Sequence, residues 1–224
     1  MAFKNYRNTS FYLVISVVAI AIFRLILTAA IPLLDKTESR YGEIARIMYE
    51  TKNWVVLQID YGIPFWAKPP LSTWLSALSF ETFGLSEMAA RFPSYLLALV
   101  LLIILGKLAK TAGVSFYLPA FILLTMPEFL IHAGVVSTDS ALSFSIALIM
   151  ISFWKAMQNE KYSFWNYLFF IALGLGFLSK GPIILVLTVP PIFLWVLIQK
   201  ISIKTLYLKL PWFIKARAIL LIDI

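Results

Sequence analysis

The chain has 224 residues, 61% hydrophobic, 16% aromatic and only 13% charged, with a mean hydropathy of +0.89. Soluble domains carry about 45–50% apolar and about 25% charged residues, and disordered chains need more charge still, so both classes are excluded in favour of an all-α polytopic membrane protein. In a soluble protein the net charge of +8 would suggest nucleic acid; here it asks first whether the bases gather on one side of a membrane.

The first apolar stretch, 11–31, is interrupted only by Arg24. About 20 apolar residues span a bilayer. It exceeds a signal-peptide core and lacks a small-residue cleavage site, so it reads as a retained first helix. Further spans are expected at about 92–109, 111–131, 140–156, 162–179 and 181–199, the second and fourth extended by snorkelling of Arg91, Lys107 or Lys155. With a cytoplasmic N-terminus, Lys4, Arg7, Lys107, Lys110, Lys155, Lys161, Lys200, Lys204, Lys209, Lys215 and Arg217 all fall inside, 11 of the 19 basic residues. The positive-inside rule fixes that orientation, turns the basic excess into a topology signal and leaves no nucleic-acid partner.

The loop at 32–91 is then external. Asp35, Glu38, Glu43, Glu50 and Asp60 alternate there with Lys36, Arg40, Arg46, Lys52 and Lys68. Tyr41, Ile44, Ala45 and Met48 recur at i, i+3, i+4 and i+7, opposite Arg40, Glu43, Arg46 and Glu50. Leu71, Trp74, Leu75, Leu78 and Thr82 repeat that spacing after Pro69-Pro70, and Gly84 offers a stop. Two amphipathic juxtamembrane helices are expected, joined by an extended segment, 53–68, that turns at Asp60-Tyr61-Gly62. They either lie in the outer interface or cap the helix bundle.

Asp35, Glu38 and Arg40 follow the outer end of the first span, where a carboxylate suits a general base and a cation suits phosphate. Alternatively, Asp35 or Thr37 caps the next helix, with Glu38 in its first turn. Arg24 lies ~16 Å along a helix below Asp35, a cation inside a span that lines a cavity or snorkels. Lys68 precedes the proline pair among aromatics, suited either to a leaving phosphate or to an interfacial belt. Asp139 opens the fourth span as a carboxylate or as an N-cap. His132 stands without a metal-ligand cluster, and the chain has no cysteine for a disulfide or thiolate. Nucleotide-binding loops, nucleophile elbows and zinc-protease motifs are missing too.

The run Asp35-Lys36-Thr37-Glu38-Ser39-Arg40-Tyr41-Gly42-Glu43-Ile44-Ala45-Arg46 resembles the D-E-x-R-Y-A-E-I-A-R signature of ArnT-like and protein-mannosyltransferase-like bacterial membrane glycosyltransferases. Phe65-Trp66-Ala67-Lys68-Pro69-Pro70-Leu71 is similar to their F-E-K-P-P-L segment. Phe83-Gly84 through Ala90-Arg91-Phe92-Pro93-Ser94 resembles F-G-x-x-E-x-x-A-R-L-P-S, and Gly176-Phe177-Leu178-Ser179-Lys180-Gly181-Pro182 resembles the end of G-L-A-F-L-T-K-G-P. The resemblance covers roughly residues 20–212.

It implies a GT-C-type helix bundle in the bacterial inner membrane. The implied activity is transfer of a sugar from a polyprenyl-phosphate donor to a lipid A-type, glycan or protein acceptor at the outer face. No cofactor is required by it, and a divalent metal is the one candidate. Carried over by position, Asp35 or Glu38 is the base, Lys68 and Arg40 meet the donor phosphate, Asp139 is a supporting carboxylate, and Arg24 and Tyr41 line the cavity. Thr37 replaces the signature's Asp, which moves the expected base to Asp35, and Ala67 replaces the Glu before Lys68. The family runs at least twice this length, with a C-terminal soluble domain. Residues 1–214 are therefore expected to be the N-terminal part of the transmembrane domain and 215–224 a divergent tail, from a truncated or frameshifted reading frame. A non-catalytic remnant or lipid-binding partner competes with this expectation, and a small transporter competes less well, because the ionisable groups sit at the surface instead of the midplane.

Overall fold

The computed structural model describes residues 2–158, 164–202 and 205–206. Lys161, Lys204, Lys209, Lys215 and Arg217 of the expected inner-side cluster, and the expected tail at 215–224, lie outside the described residues. The chain divides into two compact units, Met1–Phe144 and Ser145–Ile224.

The first unit begins with α1 (Ala2–Ala30), an apolar helix that stops just before Pro32. Its surface is inverted relative to a soluble helix. Ile15, Ile22, Phe23 and Ile26 are about half exposed, whereas Arg24 and Thr28 are buried. Without a hydrophobic drive between helices in lipid, polar and small groups do the packing.

The loop between α1 and the next long apolar helix folds into a cap. It comprises α2 (Lys36–Thr51), a small antiparallel hairpin of β1 (Gln58–Asp60) and β2 (Ile63–Pro64), and α3 (Leu71–Phe83). The hairpin turns at Gly62, which takes a positive φ of 77°. Tyr41, Ile44, Ala45 and Met48 are buried, as their spacing predicts, in a core shared with Leu57, Ala77, Phe80, Ala89 and Ala90. That face of α2 is spent on protein contacts.

The face of α3 differs from expectation. Ser72, Thr73, Ser76, Ala77, Ser79 and Phe80 are buried, while Leu78 is 51% exposed. The small residues let α3 approach α2 and α4 closely, and the Ser76 hydroxyl donates to the Ala90 carbonyl at 3.0 Å. Leu78 and Phe83 turn outward, while Phe80 stays in the core.

Ser86 caps α4 (Glu87–Thr111) by accepting from the Ala89 amide at 3.1 Å. The stretch expected as the third span is instead two short helices, α5 (Leu118–Thr125) and α6 (Pro127–His132). Pro127 forces Met126 into extended backbone (φ −80°, ψ 119°) and breaks the helix there. Val17, Ile20, Leu102, Ala120 and Leu124 unite α1, α4 and α5. Next comes α7 (Thr138–Gln158), whose first residues belong to this unit.

The second unit holds the rest of α7 with α8 (Phe164–Lys180) and α9 (Ile183–Ile198). Gly181, at φ 70°, makes the turn between α8 and α9. Gly176 lets Ile184 lie directly on α8, and Phe153, Phe169 and Trp195 pack together in a separate cluster of this unit.

Among the described residues, three helical segments are long and apolar enough to cross a bilayer: Phe11–Ala30, Glu87–Thr111 and Thr138–Gln158. Helices α8 and α9 are apolar but shorter, at 17 and 16 residues. The architecture is an all-α polytopic membrane bundle.

Candidate functional site

The cap meets the bundle where α1 ends, and the chemistry there is organised by Arg91. The Arg91 Nε and Nη2 donate to Glu38 Oε1 and Oε2 at 2.7 and 2.8 Å, a bidentate pair with both partners almost wholly buried. Glu38 Oε1 also accepts from the Val136 amide at 3.1 Å. The other donors of Arg91 reach the end of α1. Nη1 donates to the carbonyl of Thr28 at 3.1 Å and to that of Ile31, and Nη2 to that of Pro32 at 3.0 Å. The Thr28 carbonyl would normally pair with the amide four residues on, but that residue is proline and has none. The Arg91–Glu38 pair thus joins α1, α2 and α4, and through Glu38 the segment before α7. Arg91 does not snorkel; it is 4% exposed.

Arg24 makes a second such junction. Its Nε and Nη2 donate to the carbonyls of Leu130 and Ile131, both at 2.7 Å. Gly134 makes room for it: a Cβ there would stand 2.7 Å from Arg24 Cζ and from Thr28 Cγ2.

Between these junctions lies an open, mostly apolar cavity of about 400 Å³, whose wall includes Phe23, Arg24, Leu27, Asp35, Glu38 and Arg91. Asp35 is exposed at its rim and is the N-cap of α2, its Oδ1 accepting from the amides of Thr37 at 2.8 Å and Glu38 at 3.1 Å. These backbone bonds, Glu38's foremost, hold its carboxyl below the usual carboxylate range. The residue is therefore both cap and carboxylate.

The structure brings Arg24, Asp35 and Glu38 to one cavity; the other expected site residues are not in its wall. Arg40 is exposed on α2. Tyr41 is in the cap core, edge-on to Phe65 with ring centroids 6.4 Å apart. Lys68 is half-buried just before α3, with no hydrogen bond or ion pair among the described residues. Asp139 is half-buried in the first turn of α7, and the cap there is Ser137, whose hydroxyl accepts the Asp139 amide at 3.2 Å. No group of three or more acidic or histidine side chains comes together among the described residues. Sequence reasoning took Arg91 as an anchor at the membrane surface and missed its pairing with Glu38. The available signal was an arginine at the head of an apolar span, which rarely goes without a partner.

The family model described as dolichyl-phosphate-mannose-protein mannosyltransferase matches residues 9–224. The undecaprenyl phosphate-alpha-4-amino-4-deoxy-L-arabinose arabinosyl transferase of Wigglesworthia glossinidia brevipalpis is 33% identical over 75% of this chain and 31% of its own length. Its namesake in Yersinia enterocolitica is 31% identical over 78% of this chain and 34% of its own. This chain thus spans about a third of the length of the curated relatives it matches. The crystal structure of ArnT from Cupriavidus metallidurans in the apo state superposes with a TM-score of 0.74 at 23% identity, over 90% of this chain and 38% of that one. The same protein bound to undecaprenyl phosphate gives 0.71 at 22% identity, over 89% and 40%. The chain belongs to the dolichyl-phosphate-mannose-protein mannosyltransferase family and has the GT-C-type transmembrane fold of ArnT.

Proposed function

We propose that this chain carries the acceptor-activating part of a membrane glycosyltransferase using a polyprenyl-phosphate-linked sugar. We take the donor to be undecaprenyl phosphate-4-amino-4-deoxy-L-arabinose, a reading supported by the relatives' names. The acceptor is a lipid A-type molecule, another glycan or a protein at the outer face of the bacterial inner membrane. In that arrangement the N-terminus is cytoplasmic and the α2–α3 cap is external.

One observation supports this reading above others: an ionised carboxylate, Asp35, stands at the rim of a mostly apolar cavity that opens beside a membrane-spanning helix. Of the two carboxylates nearest α1, we assign the base to Asp35, because Arg91 engages both oxygens of Glu38. The acceptor hydroxyl oxygen bonds to the anomeric carbon as its proton moves to Asp35. The bond from that carbon to the phosphate oxygen breaks, and polyprenyl phosphate leaves with the electron pair. A carboxylate held below its ordinary pKa is a weak base, so Asp35 orients the hydroxyl first and takes the proton late. Lys68 and Arg40 are assigned to the departing phosphate, whose extra charge needs cations and no proton. Asp139 is assigned as a supporting carboxylate, and Arg24 and Tyr41 to the substrate chamber.

A non-catalytic, lipid-binding chain is the second reading, favoured by Thr37 and Ala67 standing where the family signature has acids. Transfer of radiolabelled sugar by the purified, reconstituted chain separates the two. Transfer that falls about 100-fold or more in Asp35→Asn and in Lys68→Ala supports catalysis. Wild-type transfer no higher than Lys68→Ala, with helical content intact, rejects it.

A further inference from the structure

We propose that the cavity beside α1 seats the headgroup of an anionic lipid on Arg24, at a place separate from Lys68 and Arg40. The seat lies in the cavity at whose rim Asp35 stands, so it builds on the reading above; lipid binding and sugar transfer are read separately, so either can fail without the other.

Its first part is charge. Two guanidiniums, Arg24 and Arg91, are buried in this region, at 9% and 4% exposure, against one buried carboxylate, Glu38. Arg91 holds that carboxylate at both oxygens, and Arg24, which feels Glu38 only through space, makes no ion pair among the described residues. Asp35 shares the cavity wall, but it is exposed at the rim and turned to the amides of its own helix. A cation inside a span is costly, and it persists where a partner or cavity repays it.

The second part is the donor inventory. Arg24 gives Nε and Nη2 to backbone carbonyls and keeps Nη1 without a hydrogen-bond partner among the described residues. The carbonyls fix the plane of the guanidinium, and Gly134 leaves the gap into which it fits. The group is pre-organised, with one N–H edge in reserve for an oxyanion.

The third part is the wall. Phe23, Leu27, Leu34, Leu130 and Ile131 line the same cavity, and Phe23 and Leu34 are 57% and 79% exposed, so the apolar wall runs on to the outer surface of the unit. A bare phosphate finds little use for such a wall. A volume of about 400 Å³ suits a headgroup with the first carbons of a chain.

The test uses the full chain in neutral detergent, with dioctanoyl phosphatidate as the anionic probe, dioctanoyl glycerol as the neutral one, and inorganic phosphate as competitor. Native mass spectrometry is expected to show at least one saturable phosphatidate per chain. Binding should fall at least tenfold in Arg24→Gln and in Gly134→Ala, be largely kept in Arg24→Lys, and be unchanged in Arg46→Ala. Because Arg24 also pins backbone, a measurement on the unaltered chain runs beside these: phosphatidate should slow phenylglyoxal modification of Arg24, mapped by peptide mass. Equal binding of the neutral glyceride, unchanged binding in Arg24→Gln, loss in Arg46→Ala alone, or no protection of Arg24 each overturns the proposal. Full displacement by millimolar inorganic phosphate assigns the seat to the free anion and overturns the lipid assignment.

Discussion

Glu38 and Arg91 meet through two parallel hydrogen bonds, 2.7 and 2.8 Å long, across 53 residues of sequence. Both side chains are closed off from solvent, and the remaining donors of Arg91 are spent on carbonyls. The pair is therefore a structural junction with no slack in it. Arg91→Leu would leave a buried carboxylate without its cation, at a cost of about 3–5 kcal/mol. Glu38→Gln, which keeps the shape, should cost about 1–3 kcal/mol. Thermal unfolding in detergent gives both values, and an Arg91→Leu midpoint equal to wild type would show that the junction holds nothing.

An ion pair of similar geometry on the outer face of α2 should behave differently. Arg46 bonds Glu43 at 2.6 and 2.8 Å and also Glu50, and the Tyr61 hydroxyl of the hairpin donates to Glu50. These groups are exposed or half-exposed and screened by water and salt. Arg46→Ala should leave the unfolding midpoint near wild type while hydrogen exchange in residues 58–64 accelerates. A midpoint drop as large as that of Arg91→Leu would contradict the burial argument.

Acid should loosen the start of α2 before the rest of the cap. Amides hold Asp35 below its ordinary pKa, Arg46 does so for Glu43, and Tyr61 with Arg46 does so for Glu50. A carboxyl depressed in the folded state contributes stability above its unfolded pKa and loses it as pH falls through the folded value. The window therefore opens below about pH 4, and nothing should change between about pH 7 and pH 5. Hydrogen exchange of residues 37–51, corrected for intrinsic rates, reads this. Asp35→Asn retains a capping oxygen without the titration and should remove the acid response of the first turn.

Trp74 closes the cap from the side, its indole donating to the Trp54 carbonyl at 2.7 Å. Trp74→Phe keeps most of the ring and strands that carbonyl, for a loss of about 1 kcal/mol. Chemical denaturation of the purified chain should show it, and an unchanged or higher stability would mean that water satisfies the carbonyl equally well.

Much of this fold is legible in the sequence because period and punctuation are local signals. The i, i+3, i+4, i+7 set on α2 is the buried set, Gly62 and Gly84 take the positive φ that their turn positions suggest, and α1 ends just before Pro32. Where lipid replaces water the signal inverts, and α3 buries its serines while showing Leu78. The proline at 127 was visible, but only its neighbour's extended backbone shows that it divides a helix. The site was legible in part: Asp35 and Arg24 share a cavity across the end of a span, as their spacing suggests. The partnership of Glu38 with Arg91 was not, since a single contact between distant helices leaves no periodic trace.

The three carbonyls that Arg91 satisfies belong to Thr28, Ile31 and Pro32, 59 to 63 residues earlier in the chain. During synthesis, then, the C-terminal end of the first helix is made well before the side chain that completes it. Until the helix bearing Arg91 arrives, that end must rest where water or lipid headgroups can hydrogen-bond it, because bare carbonyls are not tolerated in hydrocarbon. Arrival of Arg91 lets the end be drawn under the cap and brings Glu38 with it.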